Sequence, residues 1–307
     1  MTSPIRIGTR RSALALWQAR HVGGLIEDAA PGRFAIELVE IATRGDQFTS
    51  GPLPEGGGKG LFTRELEQAL LSEKIDLAVH SLKDLPADLA PGLCLAGSPP
   101  REDPRDALCT EGGRTLSQLA RGARLGTSSL RRTVQLHALR SDLQIVPLRG
   151  NVPTRLSRLK ATEGAELDGI VLAAAGLRRL GLSSQISELF DPHLLVPAVG
   201  QGILGLQQRE GDQRIAEALA PLADPHTQVC AEAERSLLGT LGVGCTVPMG
   251  AHAWWEGQIL KLEALLVDPA TGAQQRVNGS DEPSRAAALG RRLGAELLAG
   301  PLAHAIG

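Results

Sequence analysis

Apolar residues along this chain fall into two alternating rhythms. Runs such as Ile5-Arg6-Ile7-Gly8, Ala35 to Ile41 and Leu77-Ala78-Val79 are either unbroken or spaced by two, which predicts strands. Between them the spacing becomes three and four. One such stretch starts at Ser12, a residue type that caps helices, and passes through Leu14, Leu16 and Trp17 to Ile26; another runs from Leu61 to Leu71, after the glycine-rich residues 56–60. Strand, helix, strand, helix, strand over the first eighty residues predicts a doubly wound α/β lobe.

A second lobe is expected to begin after Pro99-Pro100-Arg101-Glu102-Asp103-Pro104, whose prolines and charges suit a crossover. Leu125-Gly126-Thr127-Ser128-Ser129 leads into a helix from Leu130 to Leu139. A strand from Leu143 to Leu148, the turn Arg149-Gly150-Asn151, a helix from Val152 to Lys160 and a buried strand, Gly169 to Ala173, follow. Residues 196–202 read as a second crossover returning to the first lobe, ahead of a strand from Ile203 to Leu206. From Pro221 the rhythm changes: a helix over Thr227–Leu241, three strand-like runs (Ala251–Trp255, Ile259–Val267, Gln274–Asn278) and a last helix over Ser284–Leu298. Hairpin-length gaps predict antiparallel pairing, hence a small α+β domain. The expected division is residues 1–99 with 200–220, residues 100–199, and residues 221–307. Ile7-Gly8-Thr9 and Leu125-Gly126-Thr127 hint that the first two units are related.

Composition narrows the functions. At 307 residues the chain exceeds what one core normally organises, and 42% hydrophobic with 21% charged residues is ordinary for a globular protein. No apolar run is long enough for a membrane span and the N-terminus has no apolar signal core, so the expectation is cytoplasmic. Four separated cysteines, with no Cys-x-x-Cys unit, argue against a disulfide framework or a zinc site. The net charge is −2, yet residues 121–160 hold nine Lys or Arg (121, 124, 131, 132, 140, 149, 155, 158, 160) against Asp142 alone. With aromatics at 2% and no tyrosine, such a segment suggests a small anionic ligand rather than nucleic acid.

Candidate chemistry gathers at predicted strand ends. Asp76 to Pro86 is a strand emptying into Ser81, Lys83 and Asp84, where open α/β sheets bind ligands; the competing reading makes Lys83 and Asp84 a solvated loop pair. Helix starts attract anions and disfavour cations by up to about 1 kcal/mol. Arg131 and Arg132 nevertheless follow Ser128-Ser129, and Arg10 and Arg11 precede Ser12, an arrangement that makes sense if a bound anion screens them. Arg149 and Arg155 repeat it across Gly150-Asn151. Gly56 to Gly60 lacks the hydroxyl residue that a Walker loop requires after Lys59, so it implies no nucleotide and reads as a lid, with Lys59 reaching an anion. Glycines before it and Pro248 after it hold Cys245 on a tight loop, where it is either a presented thiol or an inert one. Cys94, Cys109 and Cys230 read as packing residues.

Thr9-Arg10-Arg11-Ser12, Thr43-Arg44-Gly45-Asp46, Gly57-Gly58-Lys59-Gly60-Leu61-Phe62, Val79-His80-Ser81-Leu82-Lys83-Asp84, Arg101-Glu102-Asp103-Pro104-Arg105-Asp106, Gly126-Thr127-Ser128-Ser129-Leu130-Arg131-Arg132, Leu148-Arg149-Gly150-Asn151-Val152, Pro197-Ala198-Val199-Gly200-Gln201-Gly202 and Gly244-Cys245 occur in that order. In these segments the chain resembles the porphobilinogen deaminase (hydroxymethylbilane synthase) family over essentially its whole length. The resemblance implies two lobes like those of periplasmic binding proteins plus a C-terminal α+β domain with a three-stranded antiparallel sheet. It implies head-to-tail condensation of four porphobilinogens with loss of ammonia, on a dipyrromethane primer joined by a thioether to Cys245, in a monomer without metal. Carried over, Ser81, Lys83, Thr127, Ser128, Ser129, Arg131, Arg132, Gly150, Arg155 and Gln201 would hold the primer. Arg10, Ser12, Gln18, Lys59, Arg149, Arg155 and Arg179 would grip substrate, and Asp84 would steady the cationic intermediates. The chain departs from the family pattern at Glu55, Ala13 and Arg11.

Two other classes fit the residues more loosely. A non-catalytic anion-binding protein would need neither Cys245 nor a third domain. A cysteine hydrolase would pair Cys245 with His252.

Overall fold

The computed structural model describes residues 3–43, 63–160, 167–242 and 248–306. Its elements are, in chain order, β1 (Ile5–Thr9), α1 (Ala13–Ala29), β2 (Ile36–Glu40), α2 (Arg64–Leu71), β3 (Leu77–Ser81), β4 (Leu93–Leu95), β5 (Asp106–Cys109), β6 (Arg124–Gly126), α3 (Leu130–Leu139), β7 (Gln144–Val146), α4 (Val152–Leu156) and β8 (Gly169–Ala173). There follow α5 (Ala174–Arg179), β9 (Glu188–Leu189), β10 (Leu204–Arg209), α6 (Gln213–Leu219), α7 (Pro225–Leu241), β11 (Met249–Glu256), β12 (Ile259–Val267), β13 (Gln274–Asp281) and α8 (Ala286–Leu298).

Helix α1 illustrates how the pattern becomes structure. The Ser12 hydroxyl accepts from the Ala15 N–H, and Ala15, Gln18, Ala19, Val22, Gly23 and Ile26 form the buried stripe that seats the helix on the sheet. Fully burying Val22 and Ile26 contributes about 1.5–3 kcal/mol each. Helix α4 is shorter than the spacing predicted: it stops at Leu156 and tightens into a 3₁₀ turn over Ser157–Lys160.

Two five-stranded sheets are built to one plan. Their strand orders are β2-β1-β3-β10-β4 and β7-β6-β8-β5-β9. In each, the first three strands are parallel and the fourth antiparallel to its neighbours. Apolar clusters lie on both faces of each, around Ile5, Val22 and Leu206 and around Leu66 and Ile75 in one, and around Leu125 and Leu136 and around Ile170 and Leu177 in the other. The two doubly wound lobes are present as the sequence pattern predicted, but that pattern did not foresee β4, β5 or β9, nor the antiparallel direction of the fourth strand in each sheet. The antiparallel strand in each sheet is the one that arrives from the other lobe: β5 follows the first crossover and β10 the second. The recurring Ile/Leu-Gly-Thr motif falls on β1 and β6, the same place in both plans. A side chain at either glycine would collide: a Cβ on Gly8 would stand 2.3 Å from Ile75 and one on Gly126 2.7 Å from Leu167.

The third unit is the antiparallel sheet β11-β12-β13, backed by α7 and α8 around Leu237, Leu262, Leu289 and Leu293. Glu234 of α7, completely buried, joins it to both crossovers. It accepts from Arg101 Nη1 at 2.7 Å, from the Gly200 N–H at 2.6 Å and from the Ala253 N–H at 2.8 Å. The crossovers also bond each other, Glu102 N–H to Gly202 O at 3.1 Å and Arg101 Nε to Gln201 O at 2.9 Å.

Candidate active site

The parallel strands deliver their chemistry at their carboxyl ends. After β3, Leu82–Asp84 forms a 3₁₀ turn pinned by the buried Leu82 and Leu85, with the Leu82 N–H on Ile203 O. That spacing holds Lys83 half-buried and leaves Asp84 exposed. After β1, Arg10 and Ser12 open α1. These two ends share a cavity lined by Arg10, Ser12, Gln18, Thr63, His80, Ser81 and Asp84, with Gln18 Nε2 donating to Ser81 Oγ at 2.9 Å.

The second lobe presents a cationic counterpart. Ser129 caps α3 by accepting from the Arg132 N–H, while the Thr127 hydroxyl accepts from the Ser129 N–H. The Ser128 hydroxyl is bonded to both main-chain groups of Leu148 and so braces the turn carrying Arg149 and Gly150. Arg155 donates from Nε to Gly150 O at 2.7 Å. Burial lowers the affinity of Arg155 for its proton, Arg132 and Arg149 lower it further and Asp84 opposes them, so these four groups converge electrostatically. Arg179 donates to Gly202 O at 2.7 Å, and burial pushes its pKa down to about 10 against the pull of Glu102.

One expectation is corrected here. The anion that screens Arg131 and Arg132 at the start of α3 belongs to the protein: Asp106, which opens β5 and is completely buried, pairs with Arg131 at 2.8 Å and with Arg132 at 2.7 Å. Burial alone would raise its pKa, but the two guanidiniums outweigh that and hold the carboxyl far below its usual range. Gln201 is a connector in the same network: its amide donates to Pro104 O and Asp106 Oδ1 and accepts from Lys83 Nζ at 3.3 Å. Burial brings Lys83 down to about 8; Asp84 and Asp106 resist this, and Arg132 and Arg131 add to it.

The spacing rules also missed His80. Its Nε2 meets Gln207 Oε1 at 3.0 Å, and the Gln207 amide donates onward to Glu67 at 3.1 Å. With the amide turned that way, His80 carries its proton on Nε2. Burial takes it down to about 4, helped by Arg10, although the Gln207 bond resists. His252 goes to about 3 through burial, then Arg101 and His193, against Asp103; it stacks on Trp254 at 5.5 Å and its Nδ1 is buried without a hydrogen-bond partner among the described residues. That is far from the range of a general base at neutral pH, which weighs against the hydrolase reading. Cys109 and Cys230 are buried with pKa values pushed up to about 12, and Cys94 is half-buried. Lys59, Cys245 and the loop 48–60 lie outside the described residues.

The depressed histidines make a prediction. His80 and His252, joined by His21, which burial and then Arg179 also lower, bind fewer protons folded than unfolded below their usual pKa near 6.5, so stability falls as pH drops through that window. Melting temperature is expected to decline between pH 7 and pH 5, before the acid-paired Asp76, Asp103 and Asp106 begin to protonate below their own ordinary range. His252→Phe is expected to flatten the decline; a slope equal to that of the parent protein would refute it.

Comparison with known proteins adds an independent line. Two family models match: "Porphobilinogen deaminase, dipyromethane cofactor binding domain" over residues 5–217 and "Porphobilinogen deaminase, C-terminal domain" over residues 228–299. The porphobilinogen deaminase of Syntrophotalea carbinolica is 50% identical over 97% of this chain and 93% of its own length. That of Roseiflexus castenholzii is 48% identical over 97% of both. Among solved structures, the methionine-binding protein MetQ aligns with a TM-score of 0.44 at 14% identity, covering 77% of this chain and 93% of that one, a likeness too distant to bear on the ligand.

Proposed function

The chain belongs to the porphobilinogen deaminase family, and on that premise we propose that it is the transferase that condenses four porphobilinogen molecules head to tail. One ammonia is released per ring added on a covalently held dipyrromethane, and hydrolysis by one water then frees the four-ring chain as hydroxymethylbilane, for tetrapyrrole synthesis. The observation that carries this reading is an exposed carboxylate, Asp84, on a pinned turn between a polar cavity and the converging cations Lys83, Arg131, Arg132 and Arg155.

The donor set fits the group it would hold. A dipyrromethane built from two porphobilinogens carries two carboxylates per ring, and the second lobe offers guanidiniums and hydroxyls of which Asp106 neutralises only one charge. Thr127, Ser129, Arg131, Arg132 and Arg155, with Ser81 and Lys83 from the first lobe, would bind those carboxylates, and a thioether to Cys245 would tether the group. Gly150 and Ser128 would shape the turn beside it, and Gln201 would keep Lys83 in place. When bound, the dipyrromethane supplies the pyrrole carbon to which the first substrate ring is joined.

The remaining steps fall to the chain. Arg10, Ser12, Gln18, Arg149 and Arg179, with Lys59, would receive the acetate and propionate of each incoming ring. Asp84 would face the pyrrole N–H groups, where its charge offsets positive charge as ammonia leaves and again until a ring proton departs. We further propose the division into residues 1–99 with 200–220, residues 100–199 and residues 221–307, a cytoplasmic setting and a monomer. No described helix is long and apolar enough to cross a membrane.

The intact mass of freshly purified protein tests this reading. An excess of about two pyrrole units is expected, together with consumption of added porphobilinogen, and Cys245→Ser should lose both. A mass equal to that of the bare sequence in a protein that leaves porphobilinogen untouched would overturn it.

A further inference from the structure

The cationic wall of the cleft is organised around a buried acid that has no part in the steps above. Asp106 receives four side-chain N–H donors: Arg131 Nη1 at 2.8 Å, Arg132 Nη2 at 2.7 Å, Arg132 Nε at 3.1 Å and Gln201 Nε2 at 3.0 Å. Consecutive arginines in the first turn of a helix repel each other and oppose its dipole. A lone buried carboxylate is equally unfavourable, and each problem removes the other. The pairing also fixes direction. Arg132 is held on a second side by Val171 O at 3.0 Å, and Arg131 by Val196 O at 2.6 Å. Two cations against one acid leave a net positive charge.

The same acid reaches across to the first lobe. Gln201, on the second crossover, donates to Asp106 and accepts from Lys83, so a chain of bonds runs from the turn after β3 to the start of α3.

We propose that Asp106 is the positioning residue of the anion site: it aims Arg131 and Arg132 and, through Gln201, sets Lys83 in register with them across the two lobes. This rests on the reading that these cations hold the primer. Asp106 binds no substrate itself. Asparagine keeps its shape but loses the charge and turns an N–H₂ toward a guanidinium. The charged groups facing Lys83 are Asp84, Asp106, Arg131 and Arg132. Removing Asp106 therefore leaves one acid against two arginines, and the ammonium gives up its proton more readily.

The test compares the parent protein with Asp106→Asn, Asp106→Glu and Gln201→Leu. Intact mass reads the fraction carrying primer, and the pH dependence of Lys83 acetylation by acetic anhydride, followed by peptide mass, reads the lysine directly. Asp106→Asn is expected to lower the loaded fraction at least tenfold and to move the half-point of Lys83 labelling to lower pH, because Asp106 is one of the two acids that help Lys83 keep its proton. Asp106→Glu, which retains the charge, is expected to restore the half-point. Gln201→Leu, which spares the arginine pairs but releases Lys83, is expected to shift the half-point in the same direction and to lower the loaded fraction less than Asp106→Asn does.

Asp106→Asn with parental loading and an unmoved half-point would overturn the proposal, as would variants that lose melting temperature alone. If Asp106→Asn does not fold, an unmoved half-point in Gln201→Leu overturns it. A parent protein without primer or porphobilinogen turnover would instead defeat the functional reading.

Discussion

Asp84→Asn is expected to yield a folded, primer-loaded protein whose turnover is about 10²–10³-fold below that of the parent, the scale on which losing one preorganised electrostatic partner of a transition state acts. The fold should survive because Asp84 is exposed and its turn is held by other residues, Leu82 and Leu85 packing on Ile203. The primer should survive because Asp84 is an acid among cations. It opposes the effects of burial and like charge on Lys83 and Arg155, so removing it leaves the wall more attractive to carboxylates. Only stabilisation of passing positive charge is lost. Steady-state turnover, intact mass and a melting curve on one preparation separate these effects. Near-normal turnover would refute the role given to Asp84, and loss of the mass excess would show that it holds the primer instead.

Glu234→Ala is expected to cost about 3–5 kcal/mol, the scale for removing one partner of a buried ion pair. Arg101, whose side chain is 11% exposed, would be left without its counter-ion, and the Gly200 and Ala253 N–H groups without an acceptor. These donors belong to the first crossover, the second crossover and β11, so the loss falls on the joint of all three units. Converted at roughly 2–4 °C per kcal/mol, the melting temperature should fall by about 6–20 °C. The exposed pair Arg33–Glu217 is the control: Glu217→Ala should cost less than about 1 kcal/mol, because water screens it. The double variant Arg101→Leu with Glu234→Leu should recover part of the loss, since no uncompensated charge remains. Equal melting of Glu234→Ala and the Glu217→Ala control would refute the assignment.

Both residues show where reading the sequence succeeds and where it stops. Asp84 was legible because it follows an apolar run at the place where α/β sheets expose their ligands, and that placement needs only local pattern. Glu234 left a fainter mark. It sits on the apolar stripe of α7, between Ala233 and Leu237 and four residues after Cys230, and an acid at such a position signals a buried partner. Nothing local identifies that partner as Arg101, far away in the chain. Asp106 is similar: it opens a four-residue strand whose other three residues are apolar, and that strand was not foreseen because β5 is too short and too evenly apolar to show a period.

Most of the helices and strands, the two crossovers, the antiparallel third unit, the family and the residue types gathered at strand ends could be read from the chain alone, whereas the short helices α5 and α6 could not. Those features depend on side-chain periodicity, on turn chemistry and on motifs that keep their order. Packing alone set the antiparallel direction of the fourth strand in each sheet, the placement of β5 beside β8, the pairing of Arg131 and Arg132 with Asp106, and the meeting of His80 with Gln207. Each is a pairing between groups distant along the chain, and hydrogen-bond and charge partners at such separations are chosen by packing in three dimensions, which no local rhythm records.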